Sequence, residues 1–240
     1  MLKLLLGRAG TGKTRALLEA MAAGDGRPQI LIVPEQHSHS MERQLCAIGG
    51  SRVSLFAEVL SFTRLANRVF SVYGGLAAPA LDGGGRLLLL CAALKSVAPE
   101  LRVYQRPSRK PAFLSGLLAT VDELKTCRIT PEQLWTAGEE SGGGEGDKLR
   151  DLSLIYGAYE AMTARQGADP RDRLTRLAEA LTREDWAAGK DFYLDAFTDF
   201  TPQERAVLST LLGKANSVTV ALTCDKLEED EGGAGIFSPA

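Results

Sequence analysis

The chain has 240 residues, of which 45% are hydrophobic and 24% are charged, and its formal net charge is −2. These values fit neither a fibrous nor a disordered protein, and they suit one large α/β domain or one domain with a smaller one inserted. A free-standing nucleic-acid binder usually carries a basic surplus, so any contact with DNA must be local or shared with a partner.

The first predicted strand leads into the most informative segment of the chain. An apolar run from Leu2 to Leu6 predicts a buried strand, and the next eight residues read Gly-Arg-Ala-Gly-Thr-Gly-Lys-Thr. This is the complete G-x-x-x-x-G-K-S/T pattern of a phosphate-binding loop. The glycines let successive backbone N–H groups turn toward one phosphate, and a helix predicted over 13–22 adds its positive end. The nucleotide-binding residues predicted by the pattern are Gly7, Arg8, Ala9, Gly10, Thr11, Gly12, Lys13 and Thr14.

Two side chains of this loop have separate expected roles. Lys13 is expected to reach the β- and γ-phosphates of ATP, and the Thr14 hydroxyl is expected to ligate Mg²⁺. The alternative is a glycine turn between strand and helix that binds no ligand, and the complete spacing argues against it. The loop predicts binding, whereas hydrolysis depends on other residues.

Strand and helix patterns alternate over roughly the first 70 residues. A second strand is predicted at 30–33, a helix at about 41–48, a short strand at Val53–Phe56 and a helix over 62–73. Alternation of this kind implies a parallel sheet with helices on its faces. The predicted fold class is therefore α/β, with a parallel sheet like that of the P-loop NTPases.

Helical patterns replace the strand signal after Gly74. Thr130 and Asp169 each precede a proline and are predicted to cap the helices that follow. Between these helices, the glycine-rich segment from Ser141 to Gly146 predicts a flexible loop. The segment as a whole predicts a mostly helical subdomain inserted into the sheet domain.

The strand signal returns at Phe192–Asp195 and again at Val218–Leu222. We therefore assign residues 1–75 and 186–225 to the α/β core and residues 76–185 to the helical insertion. Residues 226–240 form an acidic, glycine-rich segment without periodicity, which is expected where a chain has been truncated from a longer protein.

Cysteine usage and hydropathy indicate the compartment. The four cysteines are far apart in the sequence, with no C-x-x-C pair, so neither a zinc nor an iron–sulfur site is predicted. No signal peptide is recognisable, and the longest apolar stretch is far too short to cross a membrane. We expect a cytoplasmic protein with no membrane partner.

Asp195 is the expected second partner of Mg²⁺. It follows three apolar residues of a predicted strand, where the carboxyl edge of the sheet would meet a nucleotide. An active P-loop ATPase usually has a second carboxylate next to this aspartate to polarise the attacking water. Ala196 stands there and cannot do acid–base work, so no catalytic residue is predicted. An aspartate that merely ends a strand is the alternative interpretation.

Basic residues give weaker signals for DNA. Arg64 and Arg68 are one helical turn apart and could present hydrogen-bond donors for DNA phosphates on one face. Arg43 is a further candidate for contact with a DNA phosphate. A second basic cluster surrounds Tyr104, although a solvated face is the more economical interpretation of it. Its members are Arg102, Arg106, Arg109 and Lys110.

Four segments of the chain resemble a known family. Residues 195–204 read Asp-Ala-Phe-Thr-Asp-Phe-Thr-Pro-Gln-Glu, which is similar to motif II of superfamily 1 DNA helicases and still more similar to its degenerate form in the AddB family. The phosphate loop at 7–14, the segments 33–36 with 41–43, and the segment 60–66 match further blocks in the same order. The resemblance covers essentially the whole chain.

The resemblance implies a function as well as a fold. It implies the N-terminal helicase-like region of the AddB component of an AddAB helicase–nuclease, with a domain 1A-like core and a 1B-like insertion. Such a region binds ATP and Mg²⁺, associates with an AddA-type partner subunit, and scans DNA during double-strand-break repair without acting as a motor. The full-length family has exonuclease activity and an iron–sulfur cluster, and neither the nuclease residues nor the cluster are expected in this fragment.

Two alternatives to this interpretation stay open at this stage. An autonomous small P-loop ATPase or kinase could use another acidic residue, such as Asp199 or Glu204, although capping explains Glu204. A purely structural scaffold could carry a vestigial loop. The phosphate loop also starts too near Met1 to leave room for the glutamine motif that reads adenine in active helicases, so weak discrimination between bases is expected.

Overall fold

The computed structural model describes residues 1–77, 79–105 and 111–224. These residues form one parallel sheet of five strands and nine α-helices, which confirms the predicted α/β class. The strands are β1 Leu2–Gly7, β2 Gln29–Ile32, β3 Ala57–Leu60, β4 Asp191–Leu194 and β5 Ser217–Thr223. The helices are α1 Lys13–Ala22, α2 Ser38–Gly49, α3 Phe62–Tyr73, α4 Gly83–Val97, α5 Pro111–Thr126, α6 Pro131–Ser141, α7 Gly143–Gln166, α8 Arg173–Arg183 and α9 Pro202–Lys214.

The strand order of the sheet is β1-β5-β4-β2-β3. All four strand pairs are parallel, and the register aligns Leu4 of β1 with Val220 of β5 and Leu194 of β4. Because parallel strands end at the same edge, the segments that follow β1, β2, β3 and β4 all leave the sheet on one side. The four segments that resemble helicase motifs are the ones that follow these strands.

The chain divides into two compact units. The sheet unit comprises residues 1–74, 177–200 and the described residues from 204 onward, and the helical unit comprises residues 75–176 and 201–203. In the sheet unit, α1 and α2 bury Leu18, Met21 and Leu45 against Leu31 and Val59 of the sheet. This apolar layer fixes the start of α1, and with it the phosphate loop, relative to the strands.

The helical unit has its own core between α4, α5, α6 and α7. Leu90, Val121, Ile155 and Tyr159 are buried in it, at the spacing that keeps one face of each helix apolar. The predicted cap of α6 at Thr130 is confirmed and forms a capping box, because the Thr130 side chain accepts from Gln133 N and the Gln133 side chain accepts from Thr130 N.

Three sequence-based predictions of local structure are wrong. Leu2–Leu6 was expected to be a buried strand, but β1 is an edge strand in which Leu2 is 50% and Leu4 is 53% exposed. Val53–Phe56 was expected to be a strand, but residues 50–55 form a 3₁₀ turn in which Val53 is buried, and the strand begins at Ala57. Ser141–Gly146 was expected to be a flexible loop, but α6 ends at Ser141 and α7 begins at Gly143. Only Gly142, with φ of 62°, separates the two helices.

Some predicted features lie outside the described residues. They are Arg106, Arg109 and Lys110 of the second basic cluster, and the acidic segment 226–240. Within the described part of the chain, every helix is too short or too polar to cross a membrane.

Candidate nucleotide-binding site

The predicted phosphate loop joins the end of β1 to the start of α1. Gly10 and Gly12 have φ of 78° and 86°, a left-handed conformation that glycine adopts without strain. At Gly7 the constraint is space, because a Cβ there would lie 2.8 Å from the Thr11 hydroxyl. The loop therefore closes on itself at Gly7 and turns at the two later glycines, as a backbone cradle requires.

Lys13 lies across the mouth of this loop. Its Nζ donates to the carbonyl oxygens of Gly7 and Arg8, at 2.7 Å each. Thr11 tightens the turn, since its hydroxyl donates to Arg8 O at 2.9 Å. The ammonium group is thus held over the cradle by contacts that an anionic ligand could replace.

The start of α1 has no capping side chain, a state that it shares with the start of α2. Gly12 is its N-cap, and no side chain of the described residues caps it, nor does its first turn hold an acidic residue. By contrast, Ser61, Asp82 and Thr130 cap the helices that follow them. The first N–H groups of a helix have no acceptor within it, and they carry the positive end of its dipole. At α1 these groups fit an anion.

Asp195 ends β4 at the same edge of the sheet. Its backbone N–H donates to Ile32 O at 3.2 Å, and Oδ1 accepts from Ala196 N at 2.8 Å. The residue is only 5% exposed, and among the described residues nothing donates a hydrogen bond to Oδ2. A buried carboxylate oxygen without a partner is costly unless a cation or donor reaches it.

The strand that carries Asp195 is not adjacent to the strand that carries the phosphate loop. β5 lies between β1 and β4, so the two strand axes are about 10 Å apart. Leu194 is level with Leu4, so the loop begins beyond the level of Asp195. The space between the loop and Asp195 is of a size that phosphates and a Mg²⁺ ion can fill. Mg²⁺ is usually bound by one or two carboxylates together with substrate phosphates and water.

The ends of β2 and β3 are joined by a contact that the sequence did not reveal. Ser61 is 4% exposed, accepts from Arg64 N at 3.2 Å as the cap of α3, and donates to the carboxylate of Glu35. Glu35 follows β2 and Ser61 follows β3. The only sequence signal was that Glu35 and Ser61 lie in two of the segments that resemble helicase motifs, 33–36 and 60–66.

Three aromatic rings pack beside this contact. The ring of Phe197 lies 5.6 Å from that of Phe62 and 4.9 Å from that of Phe200, measured between centroids. The segment that follows Asp195 is thereby attached to the start of α3. Three of the four segments that resemble helicase motifs meet here, and the spacing of these motifs along the chain does not predict the cluster.

The candidate DNA-binding arginines differ in how they are engaged. Arg43, Arg64 and Arg68 are all exposed. Arg68 pairs with Glu58 at 2.6 Å, whereas no carboxylate of the described chain forms an ion pair with Arg43 or Arg64. Arg102, from the second basic cluster, pairs with Asp147 at 2.7 Å. Arg43 and Arg64 are therefore the better donors for a phosphate.

The residues at this edge fit a magnesium-bound nucleotide but supply little catalysis. Lys13, the uncapped start of α1 and the open oxygen of Asp195 provide positive charge, donors and one cation ligand. Ala196 has φ of 65° and a side chain without any polar atom. Asp199, the nearby carboxylate that was considered as a substitute, is exposed and accepts from Phe200 N at 2.6 Å. The arrangement suits binding better than water activation.

The fold and this edge define an α/β protein with a phosphate-type loop between its first strand and first helix. The comparisons with known proteins are more specific. The family model described as ADDB, N-terminal, matches residues 4–240. The chain belongs to this family.

Curated relatives support the same assignment. Proteins named as the B-type subunit of an ATP-dependent helicase/deoxyribonuclease are 36% identical to 98% of the chain in Thermoanaerobacter sp. strain X514 and 41% identical to 93% of the chain in Desulforudis audaxviator strain MP104C. The protein of that name in Acetivibrio thermocellus is 33% identical over 99% of the chain. The matching region is 21%, 20% and 21% of these three proteins, so the chain spans about a fifth of the length of the curated relatives that it matches.

Proposed function

We propose that this chain is the nucleotide-binding, helicase-like region of an AddB-type subunit of a helicase–nuclease, with a P-loop NTPase-like core. In this proposal it binds ATP with Mg²⁺, hydrolyses it negligibly, and contributes a DNA-scanning surface to a complex with an AddA-type partner subunit. The complex would process double-strand breaks for recombinational repair in the bacterial cytoplasm. The names of the relatives support the partner and the DNA, since each is named as one subunit of a helicase/deoxyribonuclease.

The observation that carries the nucleotide site is the pairing of Lys13 with an uncapped helix start. Lys13 Nζ is held by two loop carbonyls at 2.7 Å, so a small side-chain rotation exchanges these acceptors for phosphate oxygens. The N–H groups of α1 then gain the acceptor that no side chain provides. Binding therefore supplies the acceptor that the start of α1 lacks.

Thr14 and Asp195 are the residues that would hold Mg²⁺. Thr14 is half-buried in the first turn of α1, and Asp195 has an open oxygen at the end of β4. When bound, Mg²⁺ neutralises charge on the phosphates. The described part of the chain shows no group of three or more His, Cys, Asp or Glu side chains arranged for a metal, so the phosphates would have to complete the coordination shell.

The absence of a polar atom on Ala196 supports negligible hydrolysis. General-base assistance requires a side chain within hydrogen-bond reach of the water, and the methyl group of Ala196 cannot accept its proton. An arginine finger from a second domain is worth about 10³–10⁵ in rate in related phosphoryl-transfer enzymes. We propose that nucleotide is a structural ligand of this region.

Nucleotide titration tests the site. Titration calorimetry with Mg-ATP should show binding to the wild-type chain, and Lys13→Ala should weaken it by about 10- to 150-fold, the equivalent of a charged hydrogen bond of about 1.5–3 kcal/mol. Lys3→Ala removes an exposed lysine from β1 and serves as the matched control. Equal affinities for wild type and Lys13→Ala would contradict the assignment of the cradle.

Turnover measurements test the second half of the proposal. The wild-type chain should release phosphate from ATP far more slowly than about one per second, the low end of ordinary kcat values. A faster rate that disappears in Lys13→Ala would show that the region is an active ATPase, and the structural-ligand proposal would be abandoned. Binding and turnover are thus judged separately.

A further inference from the structure

Two residues of the described chain that are not glycine have a left-handed backbone. They are Arg128, with φ of 58°, and Ala196, with φ of 65°. For a residue with a Cβ this conformation is disfavoured, because the Cβ comes too close to the neighbouring carbonyl oxygen. Such a residue keeps it only where the surrounding structure imposes it, so each of the two needs a physical explanation.

The conformation of Arg128 is explained by the end of a helix. Arg128 follows α5, and its N–H donates to Lys125 O at 3.0 Å, while Ile129 N donates to Leu124 O at 2.9 Å. This pair of hydrogen bonds is a common way to end an α-helix, and it requires a left-handed residue just after the cap. The strain at Arg128 therefore serves the termination of α5.

Ala196 has no explanation of this kind. A strand precedes it, since β4 ends at Leu194, and the next helix, α9, begins only at Pro202. The side chain of Ala196 is exposed, so packing of its methyl group does not impose the conformation either. The cause must lie in the backbone on the two sides of this residue.

The neighbours of Ala196 are held on both sides. On the amino-terminal side, Ala196 N donates to Asp195 Oδ1 at 2.8 Å and Asp195 N donates to Ile32 O at 3.2 Å. On the other side, the ring of Phe197 lies 5.6 Å from that of Phe62, which is buried at the start of α3. A right-handed or extended Ala196 would carry Phe197 away from Phe62 or rotate the peptide away from Oδ1. The left-handed turn satisfies both contacts.

The hydrogen bond from Ala196 decides which oxygen of Asp195 is open. Oδ1 has a donor, whereas no described residue donates to the buried Oδ2. A carboxylate that is held at one oxygen cannot rotate freely, so its second oxygen keeps one direction. Hydrogen bonds of this kind orient the carboxylates that bind metals, and a ligand oriented in advance loses less freedom when the ion arrives.

We propose that Ala196 is a positioning residue for the cation of the nucleotide site, and that its left-handed backbone performs this role. The inference rests on the proposed function, because it gives Ala196 a part in the binding of Mg²⁺ by Asp195. The turn at Ala196 holds the peptide that fixes Oδ1, and so keeps Oδ2 open in one direction. The backbone of this position contributes to binding, although its methyl group takes no part in water activation.

Three substitutions separate the backbone of Ala196 from its side chain. Ala196→Gly takes the left-handed conformation without strain, and Ala196→Asn takes it more readily than most residues do. Ala196→Val opposes it, because a β-branched residue with positive φ is a strong outlier. Asparagine and valine are similar in size, and the position is exposed, so the pair differs mainly in backbone preference.

Titration calorimetry with ATP, in Mg²⁺ and then in EDTA, provides the readout. The ratio of the two affinities isolates what the cation contributes. The ratio should stay within about twofold of wild type in Ala196→Gly and Ala196→Asn and should fall about tenfold in Ala196→Val, the low end of the effect of removing a partner of a metal ligand. A role in stability alone would leave the ratio unchanged in every folded variant.

Arg128→Val is the matched control, because it places the same side chain at the other exposed left-handed residue. Urea titration should show a loss of stability in both valine variants, while only Ala196→Val should lower the affinity ratio. A second measurement needs neither nucleotide nor a valine variant. Ala196→Gly should raise the ratio of folded to unfolded chain by about two- to fivefold, because it removes the strain.

Three results would overturn the inference. They are an unchanged affinity ratio in folded Ala196→Val, an equal fall in Ala196→Asn and Ala196→Gly, and no gain of stability in Ala196→Gly. The second result would assign the role to the methyl group, and the third would show that Ala196 is not strained. A wild-type chain that binds no ATP would contradict the proposed function itself, and this inference with it, so the two failures are distinguishable.

Discussion

Buried charge is handled differently in the helical unit and in the sheet unit. In the helical unit, Asp169 is 2% exposed and lies 3.0 Å from Arg86 Nε and 3.7 Å from Lys125 Nζ, and it accepts from the hydroxyl of Tyr159 at 2.7 Å. In the sheet unit, Asp195 is 5% exposed, and no described residue donates to its Oδ2.

The same contrast holds for a second buried carboxylate of the helical unit. Asp151 is 1% exposed and accepts from the backbone N–H groups of Arg102, Val103 and Tyr104 at 2.7–3.1 Å. Its charge is satisfied entirely by backbone donors. A buried carboxylate with all its partners stabilises a fold, whereas one with an open oxygen is available to a ligand. The difference therefore separates structural aspartates from the candidate functional one.

The largest expected effect on stability comes from replacing Asp169, the buried aspartate that has partners. Asp169→Asn removes the negative charge between Arg86 and Lys125 and leaves two buried cations undercompensated, so the helical unit should lose about 3–5 kcal/mol of unfolding free energy. Urea titration followed by tryptophan fluorescence measures the loss. Trp135 lies in the helical unit and Trp186 in the sheet unit, so Trp135→Phe and Trp186→Phe backgrounds report the two units separately.

The effect of Asp169→Asn should be confined to the helical unit. The unfolding transition reported by Trp135 should move to lower urea concentration. A change of less than about 1 kcal/mol, the level of an exposed ion pair, would show that the network contributes little and would remove the contrast with the sheet unit.

A smaller effect concerns the pH dependence of the same network. Lys125 Nζ lies 2.5 Å from Glu160 and 2.7 Å from Asp172. Burial raises the pKa of both carboxyl groups, although Lys125 acts in the opposite direction, and the neighbouring Asp169 adds to the rise. The folded chain then holds these two protons more tightly than the unfolded chain does.

The sign of the pH effect follows from this difference. The stability that the two carboxyl groups contribute is fully present below their unfolded pKa of about 4 and is lost as the pH rises through their raised folded pKa values. Urea titrations of wild type and of the Glu160→Gln/Asp172→Asn variant at a series of pH values measure it. The wild type should lose stability relative to the variant as the pH rises above about 4, and parallel curves would contradict the prediction.

The smallest expected effect on stability comes from replacing Asp195, the buried aspartate with an open oxygen. Asp195→Asn keeps the shape of the side chain and its bond from Ala196 N, while it removes a buried charge that lacks a partner. The unfolding free energy should therefore change by less than about 1 kcal/mol or increase slightly. Binding of Mg-ATP should weaken in the same variant, as measured by calorimetry.

Asp169→Asn is the matched control for this variant, because it makes the same chemical change at a similarly buried site. It should reduce stability and leave nucleotide affinity intact under conditions where the chain is folded. If Asp195→Asn instead destabilised the sheet unit as strongly as Asp169→Asn destabilises the helical unit, Asp195 would be a structural residue.

Much of the sheet unit could be predicted from the sequence, because its signals are local. The helix over Lys13–Ala22 has the bounds expected from the glycine turn before it, and the helix over Phe62–Tyr73 follows a serine cap. Capping and turn preferences act within a few residues, so they can be recognised without the fold. The glycines of the phosphate loop belong to the same class of signal.

The errors arose where distant contacts override local preference. The short run Val53–Phe56 has the composition of a strand, yet pairing with β2 places the strand at Ala57–Leu60, which includes two residues that rarely favour strands. In the helical unit, the glycines predicted a loop but serve close packing, since a Cβ on Gly146 would lie 2.4 Å from Gly138 O. Glycine near a helix end has both meanings, and only the neighbouring helix decides between them.

By itself, the sequence determined the α/β class, the position of the phosphate loop and Asp195 as the carboxylate at a strand end, because each depends on residue types at fixed short spacing. Only the tertiary structure decided which buried carboxylates have partners. Asp169 was expected merely to cap a helix, and its contacts with Arg86 and Lys125 join residues 83 and 44 positions away in the chain. Charge compensation at such separations depends on how the helices pack, and no local pattern in the sequence encodes it.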